Sequence, residues 1–487
     1  MGTPAVMPCL SWVNESIMSI RKSSYKEYST VAKGAGRAGK VSLASGGSGS
    51  GRSLWSRPGW HGVVLLALSL VGAMALAVSP AGLMARLGPF QTGPGNRTVI
   101  STIAGGGLGI SVPVLTAAMS QPIGVVLDPK GRGYYVLDER DGAGLVRFVN
   151  TTSAPVTVAR VTIEPNTMNL LAGGGTGNES LPAREVDLGQ ITGMALDSSG
   201  EALYLLTPLT SSIRVLNVGT ENFSLMRRTV TPGRVVTLFN TVRAEARGLA
   251  VNSRQVFFYT ASSPGGAGRL VYQLDSRSDN PAEVVYAGGG NPPSGNGDGG
   301  LADAARLINP LNVTIDQNDN LYIAEAGDTR LNPGRIRLVD SGQIISTIAT
   351  NLEFPVGVAI GPGGVIYAAL SNSQQIVRIS AGGLKTVVAG DNSLLSCDQV
   401  AVPRCGDGGL AIAANLNIPG STQLRGITMA ADASGIYLPD DDYRRVRYIN
   451  LTGTTDGHRG DGQVRGHQYG CRQRRTSTLR QCPGDLQ

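Results

Sequence analysis

One order of pieces recurs six times in this chain, and that recurrence limits the fold more than any other feature. A short apolar run closed by a turn residue appears as PIGVVLD (122–128), ITGMALD (191–197), ARGLAVN (246–252), PLNVTID (310–316), PVGVAIG (355–361) and LRGITMA (424–430). After a turn, each is followed by a second apolar run, beginning at Tyr134, Leu203, Val256, Leu321, Ile366 and Ile436. A third then begins at Leu145, Ile213, Arg269, Arg335, Ile376 and Arg445. Short runs rich in Val, Ile, Leu, Tyr and Phe between Gly, Asn and Asp clusters read as strands, and their repetition every few tens of residues marks a repeat architecture. The 67 Gly and 26 Pro fit a chain of many short strands and tight turns.

Fourth strands decide whether such an array stays open or closes. Candidates follow the first five meanders, at Asn169, Val235, Glu283, Ile344 and Lys385. The sixth, VISTIAG (99–105), stands ahead of the first meander. In a ring, this N-terminal strand completes the sheet of the last meander and removes the exposed edge of an open array. Runs such as VVTLF and VFFYT are apolar on both faces, as expected of sheets packed between two neighbours. The predicted fold is therefore all-β, a six-bladed β-propeller over residues 99–450 closed by an N-terminal strand.

The stretch 297–340, GDGGLADAARLINPLNVTIDQNDNLYIAEAGDTRLNPGRIRLVD, resembles an NHL repeat, in which P-x-G-V-A-V-D, G-N-L-Y-V-A-D and R-I-R-x-V follow one another. The resemblance covers most of the chain and is weakest in the third set, where VFFYT and RLVYQL depart from the usual wording. It implies a rigid scaffold for protein or ligand contact, since a propeller fold alone does not name a partner.

Two loops nearly coincide. GDGGLADAARLINP (297–310) and GDGGLAIAANLNIP (406–419) agree at ten of fourteen positions. They resemble the G-D-G-G-P-A element of extracellular and bacterial NHL propellers, with Leu301 and Leu410 in place of Pro. The glycines Gly297, Gly299, Gly300, Gly406, Gly408 and Gly409 permit backbone angles closed to other residues. Asp298 and Asp407 are expected to cap a short helical turn over the propeller face. One carboxylate per loop is too few for a dedicated Ca²⁺ site.

Ahead of the propeller, residues 1–60 are Ser/Gly/Ala-rich with eight Lys/Arg and two acids, and are expected to be disordered. Gly62 to Ser79 is an uncharged apolar segment long enough for a membrane span, within a transmembrane segment placed at 61–80 and followed by a linker, 81–98. The positive charges before it predict a cytosolic N-terminus and a propeller outside the cytosol. Cleavage after Ala77, giving a secreted protein, and a two-part import signal leading to a plastid or thylakoid lumen are the other readings. The tail 451–487 is polar and Arg-rich, and disorder is expected there too.

A non-cytosolic body agrees with sequons at Asn96, Asn150, Asn178, Asn222 and Asn450, taken as glycosylation sites, whereas Asn312 lies within a predicted strand. In such a compartment Cys397 and Cys405 are expected to form a disulfide, and Cys471 and Cys482 a second, leaving Cys9 unpaired. The net charge of +7 lies in the tails, because the body 99–450 carries 26 Lys/Arg against 30 acids. Nucleic-acid binding is accordingly not expected.

The three histidines, His61, His458 and His467, all fall outside the propeller, so zinc-dependent propeller chemistry and Ser/His or Cys/His pairs lack their residues. No catalytic residue, metal ligand or cofactor is expected. The alternative is a Ca²⁺-dependent hydrolase of the gluconolactonase type using channel carboxylates such as Asp128, Asp197 and Asp316. Their recurrence at the ends of inner strands points instead to a service that every blade's turn needs. The leading reading is a non-catalytic, membrane-anchored propeller that contacts an unknown protein or small ligand.

Overall fold

In a computed structural model, the described residues are 98–452, apart from 106–111, 263–267, 279–280, 329–331, 394–402, 420–425 and 442. The apolar segment 62–79 and the cysteines Cys397, Cys471 and Cys482 lie outside them, as does Asn96. Among the described residues, no helix is long and apolar enough to cross a membrane.

Six antiparallel sheets follow one another along the chain. Blade 1 runs Pro122–Leu127, Gly133–Arg140, Ala143–Asn150 and Thr167–Ala172, with Val112–Pro113 added outside the last strand. Blade 2 consists of Gly193–Leu196, Ala202–Thr207, Ser212–Asn217 and Val235–Phe239, and blade 3 of Arg247–Val251, Val256–Ser262, Arg269–Asp275 and Val284–Ala287. Blade 4 is Pro310–Ile315, Leu321–Glu325, Gly334–Val339 and Ile345–Leu352, and blade 5 is Pro355–Gly361, Val365–Leu370, Gln375–Ile379 and Lys385–Ala389.

Blade 6 closes the ring. Its strands Ala430–Ala431, Gly435–Asp440 and Arg445–Asn450 come from the end of the chain, and Val99–Gly105 is hydrogen-bonded outside them. The register sets Ile100 opposite Ile449 and Thr102 opposite Arg447, with a bulge before Ala104. The fold is an all-β six-bladed propeller, and blade 3 takes its place in it despite its divergent wording.

Each blade is buried on both faces because the apolar clusters are shared between neighbours. Tyr135 and Phe148 of blade 1 pack with Leu203 and Leu205 of blade 2, while Tyr204 of blade 2 meets Phe257 of blade 3 edge-on, ring centroids 4.7 Å apart. Buried second strands read as continuous apolar runs for this reason.

Two hairpins were not anticipated. Val156–Val158 pairs with Val161–Ile163, and Phe223–Leu225 with Arg228–Val230, each inserted between the third and outer strands of its blade. The first is held by Asn150, whose Nδ2 donates to the carbonyls of Ala154 and Ile163 at 2.8 and 2.9 Å; the second by Asn217, whose Nδ2 donates to those of Glu221 and Val230 at 2.8 and 2.7 Å. Asn150 is fully buried, so a glycan on its nitrogen, expected from the sequon, is incompatible with this packing. Its Oδ1 accepts from the N–H and hydroxyl of Thr152, and Asn450 does the same with Thr452. The N-x-T pattern thus builds a local turn at both places.

Candidate functional site

The axis of the ring is where the six inner strands meet, and strand alternation decides what lines it. Residues two apart share a face, so the third and fifth positions of each inner run form two stacked rings. One ring is Gly124, Gly193, Gly248, Asn312, Gly357 and Gly426; the next is Val126, Ala195, Ala250, Thr314, Ala359 and Thr428.

At the first ring the backbones close on one another. The Val125 N–H donates to the Thr428 carbonyl at 2.8 Å, the Ile427 N–H to Val356 at 2.9 Å, and the Gly248 N–H to Thr192 at 3.2 Å, each linking two blades. A Cβ on Gly426 would come within 2.4 Å of the Leu311 carbonyl oxygen, and one on Gly357 within 2.7 Å of that of Ile427. Only glycine allows so close an approach, and the ring forms a floor across the axis.

Above this floor lies a cavity of about 250 Å³, reaching to Leu127, Leu196, Val251, Ile315, Ile360 and Ala431 near the ends of the inner strands. Its lining is aliphatic apart from Asn312, Thr314 and Thr428 and contains no charged side chain. Asn312 is buried, 2 % exposed, and among the described residues its side-chain amide makes no hydrogen bond. Below the floor is a separate cavity of about 60 Å³ beside Glu139, Thr192 and Arg247. A third, of about 230 Å³, lies between the second hairpin and blade 3, beside Glu201, Phe223 and Gln255.

The carboxylates at the inner-strand ends are committed to turns. Asp128 accepts from the Lys130 and Arg132 N–H groups and from the Arg132 guanidinium. Asp197 accepts from the Glu201 and Ala202 N–H groups, and Asp316 from those of Asn318 and Asn320. In blade 3, Asn252 takes the same role toward Arg254 and Val256. Among the described residues, no group of three or more His, Cys, Asp or Glu is placed to hold a metal ion.

The repeated loops prove to be edge covers. In the first, the Gly299 N–H donates to Ile345 and the Ala302 N–H to the Gln343 carbonyl; in the second, the Gly408 N–H donates to Ile100 and the Ala411 N–H to Thr98. Leu301 bridges Ile344 and Leu410 bridges Val99 in matching positions. Each loop therefore hydrogen-bonds along the outer strand of the blade it introduces. The second includes a short 3-10 turn, Ala411–Ala413, which no side chain caps.

Asp298 and Asp407, expected to cap such turns, instead reach buried arginines of the third strands. Asp298 binds Arg337 at 2.8 Å and Asp407 binds Arg447 at 2.9 Å. Asp407 also engages Arg445 and the hydroxyl of Thr102 on the closing strand. A guanidinium removed from water requires a paired anion, and this requirement outweighs a cap on an exposed turn.

Sequence reasoning missed a third member of this set. In the loop ahead of blade 2, Glu179 reaches Arg214 at 3.6 Å and accepts from the N–H of Thr237 on the outer strand. The Gly173 N–H bonds the Ala183 carbonyl there, as that of Gly288 bonds Ala302 and that of Gly390 bonds Ala411. Loops of one design thus precede blades 2, 4 and 6. The text NESLPARE hides the first of them, and only an acid followed some thirty-five to forty residues later by a strand arginine signals it.

Each of these arginines in blades 4 and 6 also meets an acid at the end of the second strand. Arg337 is 3.4 Å from Glu325, and Arg447 is 3.3 Å from Asp440; in blade 1 Arg147 is 3.0 Å from Asp138. The acids in turn accept backbone N–H groups of the segment entering the inner strand, Ile308 for Glu325, Asn417 for Asp440 and Gln121 for Asp138. Burial pushes the carboxyl of Asp440 up to about 6, with Arg447 and the Asn417 N–H opposing it, and shifts Glu325 and Asp138 in the same direction. Cys405 is buried, and its carbonyl accepts from Arg447 at 3.1 Å. Asn178 and Asn222 are exposed.

No protein-family model matches the sequence, and no curated protein matches it. Among solved structures, an auxiliary nutrient binding protein from Bacteroides thetaiotaomicron VPI-5482 is 11% identical with a TM-score of 0.47, over 73% of this chain and 76% of that one. A structural genomics protein of unknown function from the same organism is 13% identical with a TM-score of 0.46, over 72% and 76%. A gluconolactonase from Xanthomonas campestris is 11% identical with a TM-score of 0.40, over 73% and 91%. The likeness in each case is one of architecture.

Proposed function

We propose that this chain is a non-catalytic NHL-type propeller that serves as a binding scaffold for a protein or small ligand, held at a membrane by residues 62–79 with the propeller outside the cytosol. The observation that carries the non-catalytic part is the fate of the inner-strand carboxylates. Asp128, Asp197 and Asp316 accept hydrogen bonds from their own turns, and the axial cavity is walled by Val, Ala and Thr. A hydrolase of the gluconolactonase type would require several oxygen donors converging on one point of that axis.

The test is incubation of the purified full chain with glucono-δ-lactone in the presence of Ca²⁺. Hydrolysis no faster than the spontaneous rate is expected, and Ca²⁺-dependent turnover would replace this reading with an enzymatic one. Crosslinking at intact membranes is expected to recover a partner with the propeller. The topology is supported by the apolar segment and the positive charges before it. A mature N-terminus at Val78 would overturn the anchor, and glycan on the exposed Asn222 or Asn178 would support an extracellular or lumenal compartment over a plastid one. The pairing of Cys397 with Cys405 belongs to the same proposal, and a non-reducing peptide map that finds both thiols free would remove it.

A further inference from the structure

We infer that the axial pocket is a binding site for a small uncharged molecule that presents one carbonyl, amide or hydroxyl group on a compact apolar body. This rests on reading the propeller as a binding module, and it names the ligand chemistry of its axis.

The first observation is Asn312. Five inner strands place glycine in the floor ring and the fourth places Asn312, the one side chain beyond hydrogen in that ring. It is 2 % exposed and lines the cavity, yet its amide has no hydrogen-bond partner among the described residues. The amide's atoms are open to the cavity rather than sealed from it, so a group entering there can pair with them in place of water. An amide both donates and accepts, so the matching group is a carbonyl, an amide or a hydroxyl.

Size and charge fix the rest. The small side chains of the second ring leave about 250 Å³, many times the ~10–15 Å³ that one water needs by the same measure, so the space suits a compact organic molecule. With no charged residue in the wall, an ionic ligand would surrender its hydration without a counter-charge. The glycine floor makes the cavity blind, so entry is from the face on which the inner strands end.

Benzamide, benzoate and toluene, titrated into the full chain by calorimetry and ligand-observed NMR, test this directly. Benzamide is expected to bind saturably and benzoate at least tenfold more weakly. Asn312→Ala should weaken benzamide about fivefold, the equivalent of about 1 kcal/mol, and leave toluene within twofold. Ala359→Leu and Ala250→Leu, made separately and checked for an unchanged unfolding midpoint, should each abolish binding of both. Absence of saturable benzamide binding overturns the inference. So does binding that both Leu variants leave intact, or benzoate binding as tightly as benzamide. A crosslinked partner that persists when benzamide fails to bind would leave the scaffold reading standing and sink only the pocket. Lactone turnover that benzamide inhibits would do the reverse.

Discussion

At the residue scale, polar side chains in this propeller mostly serve the backbone near them. Asn150 ties down a hairpin from a fully buried position, so Asn150→Ala removes the donor to the Ile163 carbonyl and one of the two donors to that of Ala154, which keeps the Thr152 hydroxyl. A loss of about 1–3 kcal/mol is expected, read as a shift in the urea midpoint. Peptide mapping should find Asn150 without glycan. Asp440 gives a pH signature of unusual sign. Its folded carboxyl titrates at about 6, above the ordinary carboxylate range, so the native state holds the proton more tightly than the unfolded chain does. Its contribution to stability is therefore present at low pH and lost as pH rises from about 4 through 6. Relative to Asp440→Asn, the unaltered protein should gain about 1 kcal/mol between pH 7 and pH 5. Urea unfolding at the two pH values measures this, and a relative loss on acidification would show that Arg447 outweighs burial.

At the element scale, the loops ahead of blades 2, 4 and 6 share one construction: a carboxylate placed on a strand arginine and a backbone laid along the outer strand. The environment of the carboxylate sets what each contact is worth. Asp298 has a side chain 47% exposed, whereas that of Asp407 is 10% exposed and serves both Arg445 and Arg447. Asp298→Asn should cost under about 1 kcal/mol, as exposed pairs do. Asp407→Asn should cost about 2 kcal/mol, below the 3–5 of a fully broken buried pair because Arg447 keeps Asp440. Denaturant titration of the two variants side by side checks the ranking, and equal losses would contradict it.

On the scale of the whole molecule, the ring is held by one strand that is separated from its partner by nearly the full length of the propeller. Ile100 is fully buried in a cluster with Val356 of blade 5 and Ile436 and Ile449 of blade 6. Ile100→Ala should cost about 2–5 kcal/mol, as strongly as any cavity made within a single blade. Removal of residues 99–105 should go further, exposing the edge of Arg445–Asn450 and producing oligomers in size-exclusion chromatography. A monomer of unchanged stability would show that the closing strand is dispensable.

Sequence by itself determined the architecture, because strand periodicity, turn residues and the displaced fourth strand are local signals repeated six times, and a periodic signal survives one irregular copy such as blade 3. It also indicated that Asp128, Asp197 and Asp316 serve turns, since recurrence is visible in a string. Tertiary structure alone decided where Asp298 and Asp407 point, that Glu179 belongs with them, and that Asn150 is enclosed. Each depends on which buried charge or carbonyl lies within reach, and the partner is between four and some forty residues away. The glycine floor is the clearest case: the glycines can be read from the sequence, but their meeting on one axis is a consequence of closing the ring.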